Sequence, residues 1–250
     1  ACCLYQQLMP KHHRPKGFII DQGLSPFNGE PYVAILDLAR STNAKTGDMA
    51  QVWILCRDTP PQQAVNDGTD ETICGNCKFR KQENGTRLCY ELAWRRPTQV
   101  WKSYKACEYE EDMRREHIPL IKHRKIRWGA YGDPAIIHPQ AFWGINEHSA
   151  GHTGYTQAWR EKWAQPYKGV FMASCKTERE HFEAVNDPEF GGWKTFNVHA
   201  LGEKPYAGVP CPHDRTGIKC RDCGLCDGNT LHISQVAHGS SMRKFPEVVA

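Results

Sequence analysis

Cys211, Cys220, Cys223 and Cys226 lie in the stretch CPHDRTGIKCRDCGLC, the last three spaced C-x2-C-x2-C. Four cysteines so close together ask for a metal centre, and iron–sulfur clusters are held by such thiolates. Tetrahedral zinc accepts the same four sulfurs, although zinc sites more often use two separated C-x2-C knuckles. His232 and His238 follow closely enough to replace Cys211 as a fourth ligand, especially to zinc. A second group, Cys74-x2-Cys77 followed by Cys89, offers only three thiols. A cluster held there leaves one iron open to an exogenous ligand, unless Cys56 or a nearby histidine closes the site. The chemistry these residues announce is cluster-based catalysis or electron transfer, with structural zinc as the competing reading.

These residues need a scaffold, and 250 residues are enough to bury a core without covalent staples. The chain has twelve cysteines. With no signal-peptide pattern at the start and no apolar run near the roughly 18 residues of a membrane span, the expectation is a cytoplasmic protein with no membrane partner. In a reducing compartment those thiols read as ligands or reactive groups before disulfides. The net charge of +4 is too mild to establish a nucleic-acid partner. Basic residues nevertheless gather at Lys11–Lys16 and again through Arg114, Arg115, Lys122, Arg124, Lys125 and Arg127, either as solvated surface or as phosphate-contacting patches.

Residues 1–31 mix Pro, Gly, Gln and basic residues without a period and read as an arm with little regular structure. Residues 32–250 read as a single α/β domain, carrying a cluster loop at 57–90 and a C-terminal cysteine-rich segment at 205–230. Compact β-branched or alternating runs predict strands at 32–40, 51–56, 125–131, 153–159, 168–174, 193–199 and 231–237. Helical patterns cover 98–115, 139–149 and 177–186. Alternation of the two predicts βα units and a parallel sheet that closes into a full or partial barrel. In such a fold the working side chains sit at the C-terminal ends of the strands, which nominates Asp133, Gln157, Arg160, Ser174, Cys175 and His199. Asp133 can accept from an ammonium group or simply cap its turn. Arg160 suits a carboxylate or phosphate. Cys175 is a radical-quenching thiol, a ligand, or a buried cysteine. Asn43-Ala-Lys45-Thr46-Gly47 lacks the frame of a phosphate loop.

The C-x2-C-x2-C run with its separate Cys-Pro resembles the ferredoxin type of iron–sulfur site. The strand order, with a three-cysteine loop after the first strand of the parallel series and Gly132-Asp133-Pro134 after the second, resembles the radical S-adenosylmethionine (SAM) enzymes. That resemblance implies a partial (β/α)6 barrel, a [4Fe-4S] cluster on Cys74, Cys77 and Cys89, and SAM chelating its open iron. It also implies that Tyr131, Gly132, Asp133 and Pro134, with Gln157, line the cofactor's amino group. Cys211, Cys220, Cys223 and Cys226 would then hold an auxiliary cluster, and an electron donor and a small-molecule or nucleic-acid substrate would be partners. The spacing C-x2-C-x11-C departs from the family's usual C-x3-C-x2-C, and Asp133 stands where the family has Glu. As a whole, N-x-K-T-G, C-G-x-C, C-Y, Y-G-D-P, T-G-Y-T-x-x-W and C-x2-C-x2-C resemble a group of cysteine-rich phage and prophage proteins of uncertain function, which implies a bacterial host cell. Two other functions fit the same residues: a zinc-containing barrel akin to nucleobase transglycosylases, with Asp133 as nucleophile, and a metal-stapled nucleic-acid-binding or virion protein without catalysis.

Overall fold

The computed structural model describes residues 14–41, 43–238 and 244–245. Its spine is one sheet of nine strands: β1 (Gly17–Leu24), β2 (Pro31–Asp37), β3 (Ala50–Cys56), β4 (Ile126–Tyr131), β5 (His152–Thr156), β6 (Met172–Cys175), β7 (Thr195–His199), β8 (Val209–Pro210) and β9 (Ile233–Val236). The spatial order is β1-β2-β3-β4-β5-β6-β7-β9-β8. β1–β2 and β2–β3 pair antiparallel, and every pairing from β3 onward is parallel. Among the described residues no pairing joins β1 to β8, so the sheet runs edge to edge. The fold is a mixed α/β one, and the six expected strands follow one another in sequence order across the parallel run, their ends within three residues of the expected ones except that the strand expected from Lys168 begins at Met172.

The arm expected over 1–31 is corrected from Gly17 onward. GFIIDQGL pairs along β2, with a register shift between Ile19 and Asp21, because Phe18 can be fully buried only against the sheet. Lys11, His12, His13, Cys2 and Cys3 lie outside the described residues.

Among the described residues, the α-helices between strands are α1 (Pro61–Asp67), α2 (Glu71–Cys74), α3 (Arg96–Lys105), α4 (Pro139–Asn146), α5 (Glu178–Asn186), α6 (Pro212–Thr216) and α7 (Cys220–Cys223). The helix expected over 98–115 stops at Lys105, and Cys107 takes a positive φ of 56°, which ends the helical path. The cluster loop expected at 57–90 holds α1 and α2. Among the described residues no helix is long and apolar enough to cross a membrane.

Side chains alternate across a strand, so each strand feeds two compartments. One parity packs on the helices: Trp128 meets Phe142 of α4 at a ring separation of 4.6 Å, and Thr195 Oγ1 lies 2.8 Å from His181 Nδ1 of α5. The other parity faces a cavity.

Candidate metal and cofactor site

The cavity encloses about 580 Å³. Its strand-borne lining alternates: Arg127, Gly129 and Tyr131 from β4, Thr153, Tyr155 and then Gln157 from β5, Ser174 from β6, Phe196 and Val198 from β7, and Gln235 then Ala237 from β9, with Ala130 the one departure. Cys74, Cys77 and Cys89 line the same cavity. Of the nominated strand-end residues, Asp133, Gln157 and Ser174 line the cavity with these three cysteines.

Several contacts fix that loop. Gly75 has φ 51° and ψ −133°, a conformation open essentially to glycine, and a Cβ there would sit 2.3 Å from a ring carbon of Phe27. Arg80 donates from Nε to Asp70 Oδ1 (2.8 Å), from Nη1 to Gly75 O (2.8 Å) and from Nη2 to Gly68 O (2.7 Å), gripping both ends of α2. Asp133 N donates to Ile73 O at 2.6 Å, tying the strand end to the residue before Cys74. Gly132 (φ 79°) passes so close to β3 that a Cβ would lie 2.7 Å from Ile54 Cβ.

Burial pushes the Cys74 thiol well up, and Cys77, Asp70 and Cys89 add to the shift. The thiols of Cys77 and Cys89 are raised chiefly by burial too, with Lys176 and Arg87 respectively opposing it. Burial, joined at Cys74 and Cys89 by neighbouring thiols, disfavours charge on these three sulfurs. Cys56 does not complete the set, since its Sγ donates to Thr69 O at 3.4 Å and it does not line the cavity.

The second cysteine group borders a hollow of about 20 Å³ lined by Cys211, Cys220, Cys223 and Cys226 together. Cys220, Thr153 and His213 line both hollow and cavity, so the two cysteine groups share a wall. Three anchors hold the segment: Cys211 N donates to Ser234 O of β9 (2.8 Å), Gly154 N of β5 to Cys226 O (3.3 Å), and Cys220 N to Lys45 O (2.8 Å). That last bond gives the Asn43–Gly47 motif a place. Asn43 Oδ1 accepts from Lys45 N (2.9 Å) and Thr46 N (3.0 Å), shaping a turn whose carbonyls receive Cys220 and Arg221. Burial raises the Cys226 thiol to about 12.

Among the described residues no three or more His, Cys, Asp or Glu side chains converge tightly enough to hold a metal ion. The expected metal-binding loops thus gather their cysteines around common spaces without forming an ion-sized shell. A zinc site places its thiolates about 2.3 Å from one ion, whereas a cluster distributes them over several irons. The thiols stand as three on the cavity and four around the small hollow.

Other nominated residues part company. Asp133 is 4 % exposed and accepts from Ala135 N (3.0 Å) and Gln157 N (2.7 Å), so it caps its turn and ties β4 to β5 while lining the cavity. Pro134 is buried beneath this turn and is not part of the lining. Cys175 and His199 have the opposite parity to Ser174 and Val198, and neither faces the cavity. Arg160 stacks on Trp159 at 3.7 Å and bonds Glu183, also away from it. His232 is engaged by Thr195, with Nδ1 2.9 Å from Oγ1, and lines neither space; His238 lines the large cavity.

The expected basic patch at 114–127 is not one surface. Arg124 binds Leu38 O (2.9 Å) and Asp48, and Arg127 points inward, 7 % exposed, donating to Tyr90 Oη. Sequence reading missed Lys176, which is buried at the end of β6 with Nζ bonded to Gln157 Oε1. Its signal was parity, two residues beyond Ser174 on the same face. Compared with family models, curated proteins and solved structures, the chain finds no match.

Proposed function

We propose that this chain is an iron–sulfur enzyme of radical-SAM-like build, its parallel strands forming a partial (β/α)6 barrel around the cavity. The observation that carries the reading is the meeting of Cys74, Cys77 and Cys89 with Tyr131, Gly132, Asp133 and Gln157 in one cavity at the C-terminal ends of consecutive parallel strands. Cys74, Cys77 and Cys89 would hold a [4Fe-4S] cluster with one iron lacking a protein ligand, and Cys211, Cys220, Cys223 and Cys226 an auxiliary one. With SAM bound, such a cluster supplies the one-electron reduction of a sulfonium.

The protein's own part is orientation and exclusion of water. Asp133 is held at the cavity wall by Ala135 N and Gln157 N, which fix the direction of its carboxyl group. Gln157 is held by Lys176, which fixes its amide at the cavity edge. Phe79, Tyr155 and Phe196 give the walls an apolar cover.

Anaerobic purification followed by absorption spectroscopy and iron, sulfide and zinc analysis tests this. The expected result is a brown protein with about eight irons and eight sulfides per chain. A colourless protein carrying zinc overturns it in favour of structural metal, and about four irons restrict it to a single cluster.

A further inference from the structure

Two guanidinium groups that line the cavity lack the carboxylate partner that four other arginines have. Arg80 reaches Asp70, Arg96 reaches Asp37, Arg124 reaches Asp48 and Arg160 reaches Glu183. Arg87 and Arg127 line the cavity, and among the described residues neither has a carboxylate within ion-pair distance. Arg127 is 7 % exposed, and the hydrogen bond it makes is to the neutral phenol of Tyr90. Arg87 spends Nη1 on Cys89 O at 3.0 Å, and its buried Nε has no partner. Tyr131, 4 % exposed on the same wall, has a buried Oη without a partner. Glu91 lines the cavity as well, feels both guanidiniums and pairs with neither, so the group keeps a net positive charge.

Burying a cation without a counter-ion is costly, and burying unpaired donors beside it adds to the cost. Such an arrangement persists where a ligand supplies the missing acceptors. Guanidinium forks match the planar or tetrahedral oxygens of carboxylate and phosphate, which an ammonium cannot do in two-pronged fashion.

We propose that Arg87 and Arg127 form an oxyanion receptor inside the cavity, with Tyr131 Oη as a further donor, for the phosphate or carboxylate group of a ligand. This goes beyond the cluster reading and does not depend on it. The thiolates of a bound cluster are the rival anions, and the experiment separates them.

Calorimetric titration of the full-length protein with inorganic phosphate and, separately, with acetate is carried out on both metal-free and iron-reconstituted samples. The expected result is saturable binding at about one site per chain in both samples, weakening as salt rises. Whichever of phosphate or acetate binds more tightly names the source of the oxyanion. Arg87→Ala, a half-buried position, is expected to weaken binding at least tenfold, as is Arg127→Lys, which keeps a cation at the buried position but loses the fork; thermal unfolding verifies that both variants are folded. Absence of saturable binding in both samples overturns the proposal. So does binding unchanged in both variants, or binding by metal-free protein that vanishes on reconstitution, which would assign the guanidiniums to the thiolates. Because the metal-free arm reads without iron, a chain that takes up no cluster still tests the receptor.

Discussion

Gly75→Ala is the sharpest test of how the cysteine loop is built. Gly75 sits between Cys74 and Cys77 at φ 51° and ψ −133°, and forcing an alanine into such a region costs about 1–3 kcal/mol. Its new methyl would lie 2.3–2.7 Å from three ring carbons of Phe27, whose ring is braced edge-on by Trp163 at 5.1 Å. Displacing a packed ring costs a further 1–3 kcal/mol, roughly, as overpacking does. The sum, about 2–6 kcal/mol, is a large share of the roughly 5–15 kcal/mol that stabilises a domain. For a chain of this size each kcal/mol lowers the melting temperature by about 2–4 °C. Urea or thermal unfolding of metal-free Gly75→Ala should therefore show a loss of at least about 4 °C. Combining it with Phe27→Ala should recover about 1–3 kcal/mol relative to additivity, since the clash partner is gone. Iron content after reconstitution should fall in the single variant, because the backbone that sets Cys74 against Cys77 has moved. A Gly75→Ala protein within about 0.5 kcal/mol of the parent would refute both the backbone argument and the contact, and strict additivity with Phe27→Ala would refute the contact.

Three further outcomes follow from other parts of the site. Arg80→Lys should destabilise by about 1–3 kcal/mol in urea unfolding, because lysine cannot serve Asp70, Gly75 O and Gly68 O together. Asn43→Ala removes the acceptor of two backbone donors, costing about 1 kcal/mol; it should loosen the Lys45 carbonyl that receives Cys220 N, so that iron is lost from the Cys211–Cys226 group first, by chelator competition. His181 and His232 stand edge to face at 5.3 Å around Thr195, and burial depresses both imidazoles. The unfolded chain then binds protons more readily than the folded one, so stability is full above the ordinary histidine range and falls as pH drops through it. Melting temperature measured from pH 7.5 to pH 5 should decline less in His232→Asn than in the parent.

Much of this was legible in the chain itself. Cysteine spacing separated two groups of thiols before any fold was known, because ligand geometry is written into short sequence distances. The parallel series was legible too, since runs such as Gln51–Cys56 carry apolar β-branched or aromatic residues between turn signals, while the run at 168–174 placed its strand but began it four residues early. Local pattern could not say that Gly17–Leu24 is a strand, because its pairing partner, not its own composition, makes it one. Nor could it rank neighbours such as Ser174 and Cys175, whose difference lies in which face of β6 they occupy.

The sequence by itself determined which atoms are available for chemistry and roughly where strands begin and end. Only the tertiary structure decided that Cys220 shares a wall with the cavity of Cys74, that Lys45 braces the second cysteine segment, and that Arg127 turns inward while Arg160 turns away. The physical reason is that spacing along a chain is local, whereas side-chain parity and cross-sheet register are fixed when distant strands pair and bury a common face.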